Sequence, residues 1–248
     1  LMPKHHKRRG ISALVAGALF TLGLSAAGHA QTANEEMFGR LASAAPKLSP
    51  QVLEAALKAT RCAISNGTAM PERLAVIDFS LPSSKERLWL FDLNEGELIL
   101  RDLVAHGKNS GNAEATAFSN IEGSHQSSIG LFKAAESYRG SHGYSLRLDG
   151  LEPGFNDLAR QRAIVIHGAD YVQDSWVTKY GRIGRSHGCP AVDNQIIKTV
   201  VDELKGGQLV FKYYPDQEWL QSSSYLNCDS AGQLAGARNA TAVAGDRS

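Results

Sequence analysis

Apolar and polar positions divide the chain into one helical stretch followed by a long run of strands. Val52, Leu53, Ala56, Leu57 and Ala59 recur at helical spacing. Ser49-Pro50 supplies an N-cap and a first-position proline, and Asn66-Gly67 a stop, so a packing helix is predicted between them. From Arg73 the period drops to two. Residues 73–81, 87–93 and 97–105 read as strands, the last two joined by an Asn94-Glu95-Gly96 turn. Residues 129–138 and 144–149 form a second hairpin around Gly140–Gly143, 162–167 a buried strand and 208–214 a final one. Short helices are predicted after Phe155-Asn156-Asp157 and from Val192 to Leu204. Residues 107–128, rich in Gly, Ser and Asn, read as a long loop of the kind more often functional than idle. Strands outnumber helices, so the fold class is mainly β, a sheet or sandwich with marginal helices.

The first 30 residues fit none of this. Lys4 to Arg9 are basic, Ile11 to Leu24 apolar, and Gly28-His29-Ala30 is a small-x-Ala cleavage signal. Residues 1–30 are therefore expected to be a signal peptide, with Gln31 the mature N-terminus. Residues 31–48 read as a small, polar linker, 49–215 as the domain, and 216–248 as a C-terminal extension disordered from Asp229. No other apolar stretch reaches the length of about 20 residues a bilayer needs. The mature protein is expected in the periplasm or cell envelope, without a membrane partner.

Composition narrows the chemistry. Apolar residues make up 43% of 248 and charged residues 21%, enough for a packed core. Lys4, Lys7, Arg8 and Arg9 mask an acidic remainder, net −3 outside the first 30 residues. Such a chain lacks the positive field nucleic-acid binding requires. Three cysteines exclude a four-thiolate zinc site. His106, His125 and His142 lack local metal-ligand spacing, so no metal and no cofactor is expected. In an oxidising compartment Cys62 and Cys228 are able to pair, leaving Cys189 as an odd thiol; three small buried thiols are the alternative.

The chemistry concentrates between His167 and Cys189. His167-Gly168 ends a buried strand, and Ser186-His187-Gly188-Cys189 precedes a predicted helix. A cysteine at a helix N-terminus with an imidazole in reach has a lowered thiol pKa and is ready for nucleophilic attack. The N–H groups of Gly188 and Cys189 can face a developing oxyanion. This is a Cys-His acyl-transfer constellation; a buried cysteine beside two incidental histidines is the other reading.

His167-Gly168 followed by Ser186-His187-Gly188-Cys189 resembles the active-site signature of the L,D-transpeptidase (YkuD-type) family of cell-wall enzymes. Phe118-Ser119-Asn120, Ser127-Ser128-Ile129-Gly130, Tyr144-Ser145-Leu146-Arg147-Leu148 and Gly188-Cys189-Pro190-Ala191-Val192 resemble its divergent murein L,D-transpeptidase branch. The resemblance spans roughly residues 50–215 and implies an L,D-transpeptidase-like β-sandwich. It makes Cys189 the nucleophile, His167 the base, and Gly168 the residue whose backbone orients the imidazole. The backbone around Ser186, His187, Gly188 and Cys189 becomes the oxyanion hole and pocket wall. The main branch carries Arg or Asn two positions after the cysteine, where this chain has Pro190-Ala191, so Arg185 or Arg182 is expected to supply a carboxylate-binding cation. His125 and Ser128 are expected to line the substrate groove.

The implied substrate is a peptidoglycan stem peptide. The implied reaction attacks the diamino acid–D-alanine bond through a thioester and forms 3→3 cross-links, with carbapenem-type β-lactams as inhibitors. An L,D-carboxypeptidase on the same site and a non-catalytic wall-binding module are the alternatives. A papain-like endopeptidase places its cysteine before its histidine, the reverse of the order here.

Overall fold

A computed structural model describes residues 21–228, with side chains from residue 31. Residues 1–20 of the expected signal peptide (1–30) and the expected disorder from Asp229 lie outside the described residues, and 21–30 are helical in α1. Helix α1 (Thr21–Ala44) is followed by α2 (Pro50–Ser65) and strands β1 (Arg73–Asp78), β2 (Leu88–Asp92) and β3 (Glu97–Asp102). Strands β4 (Gly130–Gly140), β5 (Gly143–Gly150) and β6 (Val165–Gly168) come next, then α3 (Asp174–Tyr180) and β7 (Ala191–Val192). Helix α4 (Ile197–Leu204), β8 (Leu209–Tyr213) and α5 (Gln217–Ser222) complete the order.

All eight strands join one mixed sheet, ordered β3-β2-β1-β8-β4-β5-β6-β7. The class is mainly β with helices at the margins, as the apolar pattern implies. The sheet centre is enclosed on both faces: Leu74, Ala75, Val76 and Ile77 of β1 are all buried, as are Leu209, Val210 and Phe211 of β8. Such strands read as continuous apolar runs. Helix α2 packs its Val52, Leu53, Ala56 and Leu57 face over β1 and β8, and α4 packs over β1, β5 and β6.

Several boundaries differ from the sequence expectation, each for a local reason. Strand β1 stops at Asp78, whose Oδ1 accepts from Ser80 N–H at 3.0 Å and bends the chain out of the sheet. Residues 155–163 form successive turns rather than a helix, with Ala163 at φ 53° and the Asn156 amide bonded to the Ile129 and Leu131 carbonyls. Helix α4 starts at Ile197 because Ala191–Val192 extend as β7 and Asp193 Oδ1 holds Gln195 N–H in a turn at 2.8 Å. Helix α3 went unanticipated, its seven residues being too short for a periodic signal.

The domain is also wider than 49–215. Residues 31–44, expected as linker, are helical in α1. The compact unit begins at Phe38, and Leu41, Ala45 and Leu48 are buried in it. Beyond 215 the chain is fastened rather than loose. Fully buried Trp219 and Ser223 donate to Glu152 Oε2 at 2.8 and 2.6 Å, and Glu152 Oε1 accepts from Leu131 N–H at 2.7 Å. Cys62 and Cys228 form a disulfide, their Cα atoms 6.1 Å apart, which ties the segment after α5 to α2.

Replacing Glu152 by Ala leaves three buried donors without an acceptor. Glu152→Ala is expected to lower the unfolding free energy by about 3 kcal/mol in urea titration, with the Cys62–Cys228 bond intact.

Candidate active site

Two short strands assemble the site. Strand β7 pairs in parallel with β6, setting Ala191 opposite His167 and Val192 opposite Gly168. His167 N–H donates to Pro190 O at 3.3 Å. Cys189, two residues before Ala191, is thereby laid along the start of β6. Its Sγ accepts from Val165 N–H at 3.5 Å, and the thiol reaches Ala163 O at 3.7 Å.

The turn that presents the thiol is built from its own signature. Ser186 Oγ donates to Cys189 O at 2.6 Å and accepts from Gly188 N–H at 3.1 Å. Gly188 has φ 122°, and a Cβ there would lie 2.8 Å from Gln126 O, so only glycine fits. Ser127 Oγ donates to Gly188 O at 3.1 Å and accepts from Gly107 N–H at 3.0 Å, clamping the long loop onto the turn. These bonds alter the expected oxyanion hole. The Gly188 N–H is committed to Ser186, while those of His187 and Cys189 have no acceptor among the described residues.

His167 is 4% exposed, and its Nδ1 lies 2.9 Å from Gly168 O. Donation to that carbonyl fixes the proton on Nδ1 and leaves Nε2 as a lone-pair acceptor. A Cβ on Gly168 would overlap Asn194 Oδ1. Burial pushes the imidazole below its ordinary pKa; the Gly168 carbonyl opposes this, and the His142 ring, stacked at 4.4 Å, adds to it. His167 is thus neutral at neutral pH, the form a base requires.

Cys189 departs from the expectation of a helix-activated thiolate. Helix α4 begins only at Ile197, so Cys189 does not sit at its N-terminus. Burial pushes the thiol up from its ordinary value; the Val165 N–H, Lys212 and Arg162 pull it partly back. No hydrogen bond joins Sγ to the imidazole. The resting pair is a thiol beside a neutral histidine.

The other expected site residues fall in three places. His125 and His187 are stacked at 4.5 Å, with Lys108 Nζ 3.4 Å from His187 Nε2, at the outer face of the turn. Ser128, expected on a groove wall, is fully buried and its Oγ accepts from Arg162 Nη1 at 3.1 Å. Arg185 Nη1 bonds the Lys108 and Gly111 carbonyls at 3.1 and 2.8 Å, and Arg182 Nη1 bonds Ile183 O at 2.9 Å. Both are engaged with backbone, and neither is among the cations acting on Cys189.

Those cations come from residues not singled out by the sequence. Arg162 donates to Ser119 O, Ser124 Oγ, Gln126 O and Ser128 Oγ, gathering the loop beneath Gly188. Lys212 comes from β8. The Tyr171 phenol is pushed up to about 12 by burial and by the charge Cys189 carries as a thiolate. His142 reaches the His167 ring from the β4–β5 hairpin tip. No short motif marks any of them, since each is brought in from another element. Among the described residues no group of three or more His, Cys, Asp or Glu comes together as a metal site.

A model of the family described as L,D-transpeptidase catalytic domain matches residues 44–213. No curated protein matches the chain. Among solved structures, the chain is similar to an L,D-transpeptidase from Mycobacterium smegmatis at 14% identity and TM-score 0.37, covering 58% of this chain and 59% of that one. L,D-transpeptidase 3 from Mycobacterium tuberculosis with a faropenem-derived adduct matches at 11% and 0.38, covering 58% and 61%. An L,D-transpeptidase from Xylanimonas cellulosilytica matches at 17% and 0.34, covering 64% and 77%. The chain thus spans about three fifths of the length of the first two, 59% and 61%.

Beneath the site, His106 Nδ1 accepts from Arg87 Nη2 at 2.7 Å, and burial with the guanidinium drives its pKa down to about 4. An unfolded His titrates at about 6.5, so between the two values the unfolded chain binds the extra proton and stability falls as the pH falls. By pH ~4.5 this removes about 2–3 kcal/mol relative to neutral pH. Urea unfolding of His106→Gln, which retains an acceptor for Arg87, is expected to lose that part of the pH dependence.

Proposed function

The chain belongs to the L,D-transpeptidase catalytic-domain family, and from that premise we propose that it acts on peptidoglycan stem peptides through Cys189. The observation that carries this reading is the β6–β7 pairing, which sets the thiol one strand away from an imidazole whose Nε2 is free to accept a proton. Substrate binding brings the thiol within reach of His167 Nε2, which takes the Sγ proton. The thiolate attacks the carbonyl of the diamino acid attached through its L-centre. The N–H groups of His187 and Cys189 face the oxyanion, and the amine of D-alanine departs with the proton held by His167. Acyl transfer from the thioester to an amine on a neighbouring stem gives a 3→3 cross-link. Transfer to water gives an L,D-carboxypeptidase instead. The acceptor depends on what the groove admits and not on the catalytic pair.

The thiol's resting form fits a nucleophile activated on demand. A permanent thiolate is exposed to oxidation, whereas a buried thiol gains nucleophilicity when substrate excludes water and the base engages. A carbapenem-type β-lactam presents a strained acyl group to the same sulfur, and we expect it to acylate Cys189. The reading includes export. The Cys62–Cys228 disulfide supports an oxidising compartment, where such bonds persist.

Incubation with purified disaccharide-tetrapeptide, followed by chromatography and mass spectrometry, tests the reading. Cross-linked dimer and free D-alanine are expected, both absent with Cys189→Ala. Tripeptide without dimer would identify the carboxypeptidase. No turnover by the unaltered protein would overturn the catalytic reading for this donor and favour a wall-binding module.

A further inference from the structure

Three nitrogen-bearing side chains gather where the long loop meets the turn that carries Cys189. Lys108 N–H donates to Ser186 O at 2.8 Å and Asn109 N–H to His125 O at 3.2 Å, so segments 107–109, 124–126 and 186–188 are bound edge to edge. A Cβ at Gly107 would lie 3.0 Å from Gly188 Cα, a contact too close to hold side chains. Those on either side stand outside it: Lys108 and His187 are exposed, and His125 is half-buried. The rings of His125 and His187 stack at 4.5 Å, and Lys108 Nζ lies 3.4 Å from His187 Nε2. An ammonium only donates, so Nε2 accepts, and the other Lys108 protons have no partner among the described residues.

This cluster is built at a cost and left uncompensated. None of the three residues forms an ion pair with a carboxylate among the described residues. Desolvation, then Lys108 and His187, hold the His125 imidazole below its ordinary pKa. His125 sits at φ 54°, in the left-handed region that a β-carbon disfavours. Arg185 Nη1 donates to the Lys108 and Gly111 carbonyls at 3.1 and 2.8 Å, which fixes the backbone that carries the lysine. Unopposed positive potential on an exposed surface attracts an anion. The cluster also adjoins the two N–H groups, of His187 and Cys189, that have no acceptor among the described residues. Successive residues of an extended chain are about 3.8 Å apart, so a carbonyl held by those donors brings the next residue of its chain towards Lys108.

We propose that Lys108, His125 and His187 form a subsite for a carboxylate of the donor stem peptide, the nearest being the C-terminal carboxylate of D-alanine, one residue beyond the attacked carbonyl. The inference rests on the stem-peptide reading proposed above and deepens it. Lys108 supplies a charge and free donors, and the stacked rings supply further N–H donors beside it. Such a subsite selects a free carboxylate over a neutral amide by electrostatics rather than by shape. It makes and breaks no bond, so it acts on binding and leaves the rate of the chemical step to Cys189 and His167.

The test separates binding from turnover. Titration calorimetry of the full chain carrying Cys189→Ala gives the Kd for disaccharide-tetrapeptide at about 50 mM and about 300 mM salt. Adding Lys108→Met is expected to weaken binding about fivefold to tenfold at the lower salt and less at the higher, where charge is screened. Lys108→Arg, which keeps the charge, is expected to restore it. With Cys189 present, Lys108→Met is expected to raise KM by a similar factor and to hold kcat within about twofold. Tetrapeptide amidated at its C-terminus is expected to bind as weakly as the acid does to Lys108→Met, and to lose nothing further in that variant. An amide that bound like the acid, with both weakened by Lys108→Met, would move the subsite's carboxylate further along the stem and sustain the proposal. Equal affinities with and without Lys108→Met, or no binding by the Cys189→Ala protein, would overturn it. Turnover with an unchanged KM in Lys108→Met would remove this inference alone. Binding that depends on Lys108 in a protein that releases no D-alanine would remove the catalytic reading alone.

Discussion

Ala191 lies opposite His167, and His167 N–H reaches Pro190 O, so a two-residue strand fixes the distance between thiol and imidazole. Adjacent strands run about 4.8 Å apart, and that spacing, rather than any direct bond, relates Cys189 to His167. Every other feature of the site serves this pairing. Ser186 closes the turn before the cysteine, and Gly188 lets the backbone approach Gln126. Ser127 and Arg162 lock the 107–128 loop against the turn from outside and beneath. A Cβ at Gly107 would overlap His125 O and press on Gly188, so the two loops meet backbone to backbone.

Support for this contact comes from charged groups where apolar ones would be more stable. Arg87 is fully buried beside Phe79 and spends its donors on Leu81 O, Val104 O and His106, at the point where the chain leaves β3 for the long loop. Burial lowers its pKa to about 9, a measure of how poorly the guanidinium is solvated there. Lys212 is more extreme, buried over the Phe132 ring with no hydrogen-bond partner among the described residues. A core selected for stability alone would place methionine or leucine at such a position. Glu152 shows the contrast: it is equally enclosed, but its carboxylate receives Leu131, Trp219 and Ser223, and so fastens the C-terminal segment.

The resting electrostatics also explain how a half-buried thiol and a neutral imidazole coexist without a bond. Burial raises the pKa of the thiol and lowers that of the imidazole, so each keeps its uncharged form. Charge separation becomes favourable only when a neighbouring field compensates it, and the compensating cations sit on elements distant in sequence. His142 sharpens the arrangement from the hairpin tip by disfavouring a second positive charge beside His167.

The sequence by itself determined the period-two strands, the α2 face and the His167-Gly168 and Ser186-His187-Gly188-Cys189 signature, because each is written in neighbouring residues. It left the Cys62–Cys228 pairing open and misplaced the start of α4, where Asp193 turns the chain after β7. The cations illustrate the limit. Arg182 and Arg185 drew attention by lying close to Cys189 in the chain, yet their Nη1 groups bond backbone carbonyls, whereas Arg162 and Lys212 act on the sulfur from separate elements. Tertiary structure alone decided which charges act on the thiol, because a Coulomb interaction depends on distance in space, not along the chain.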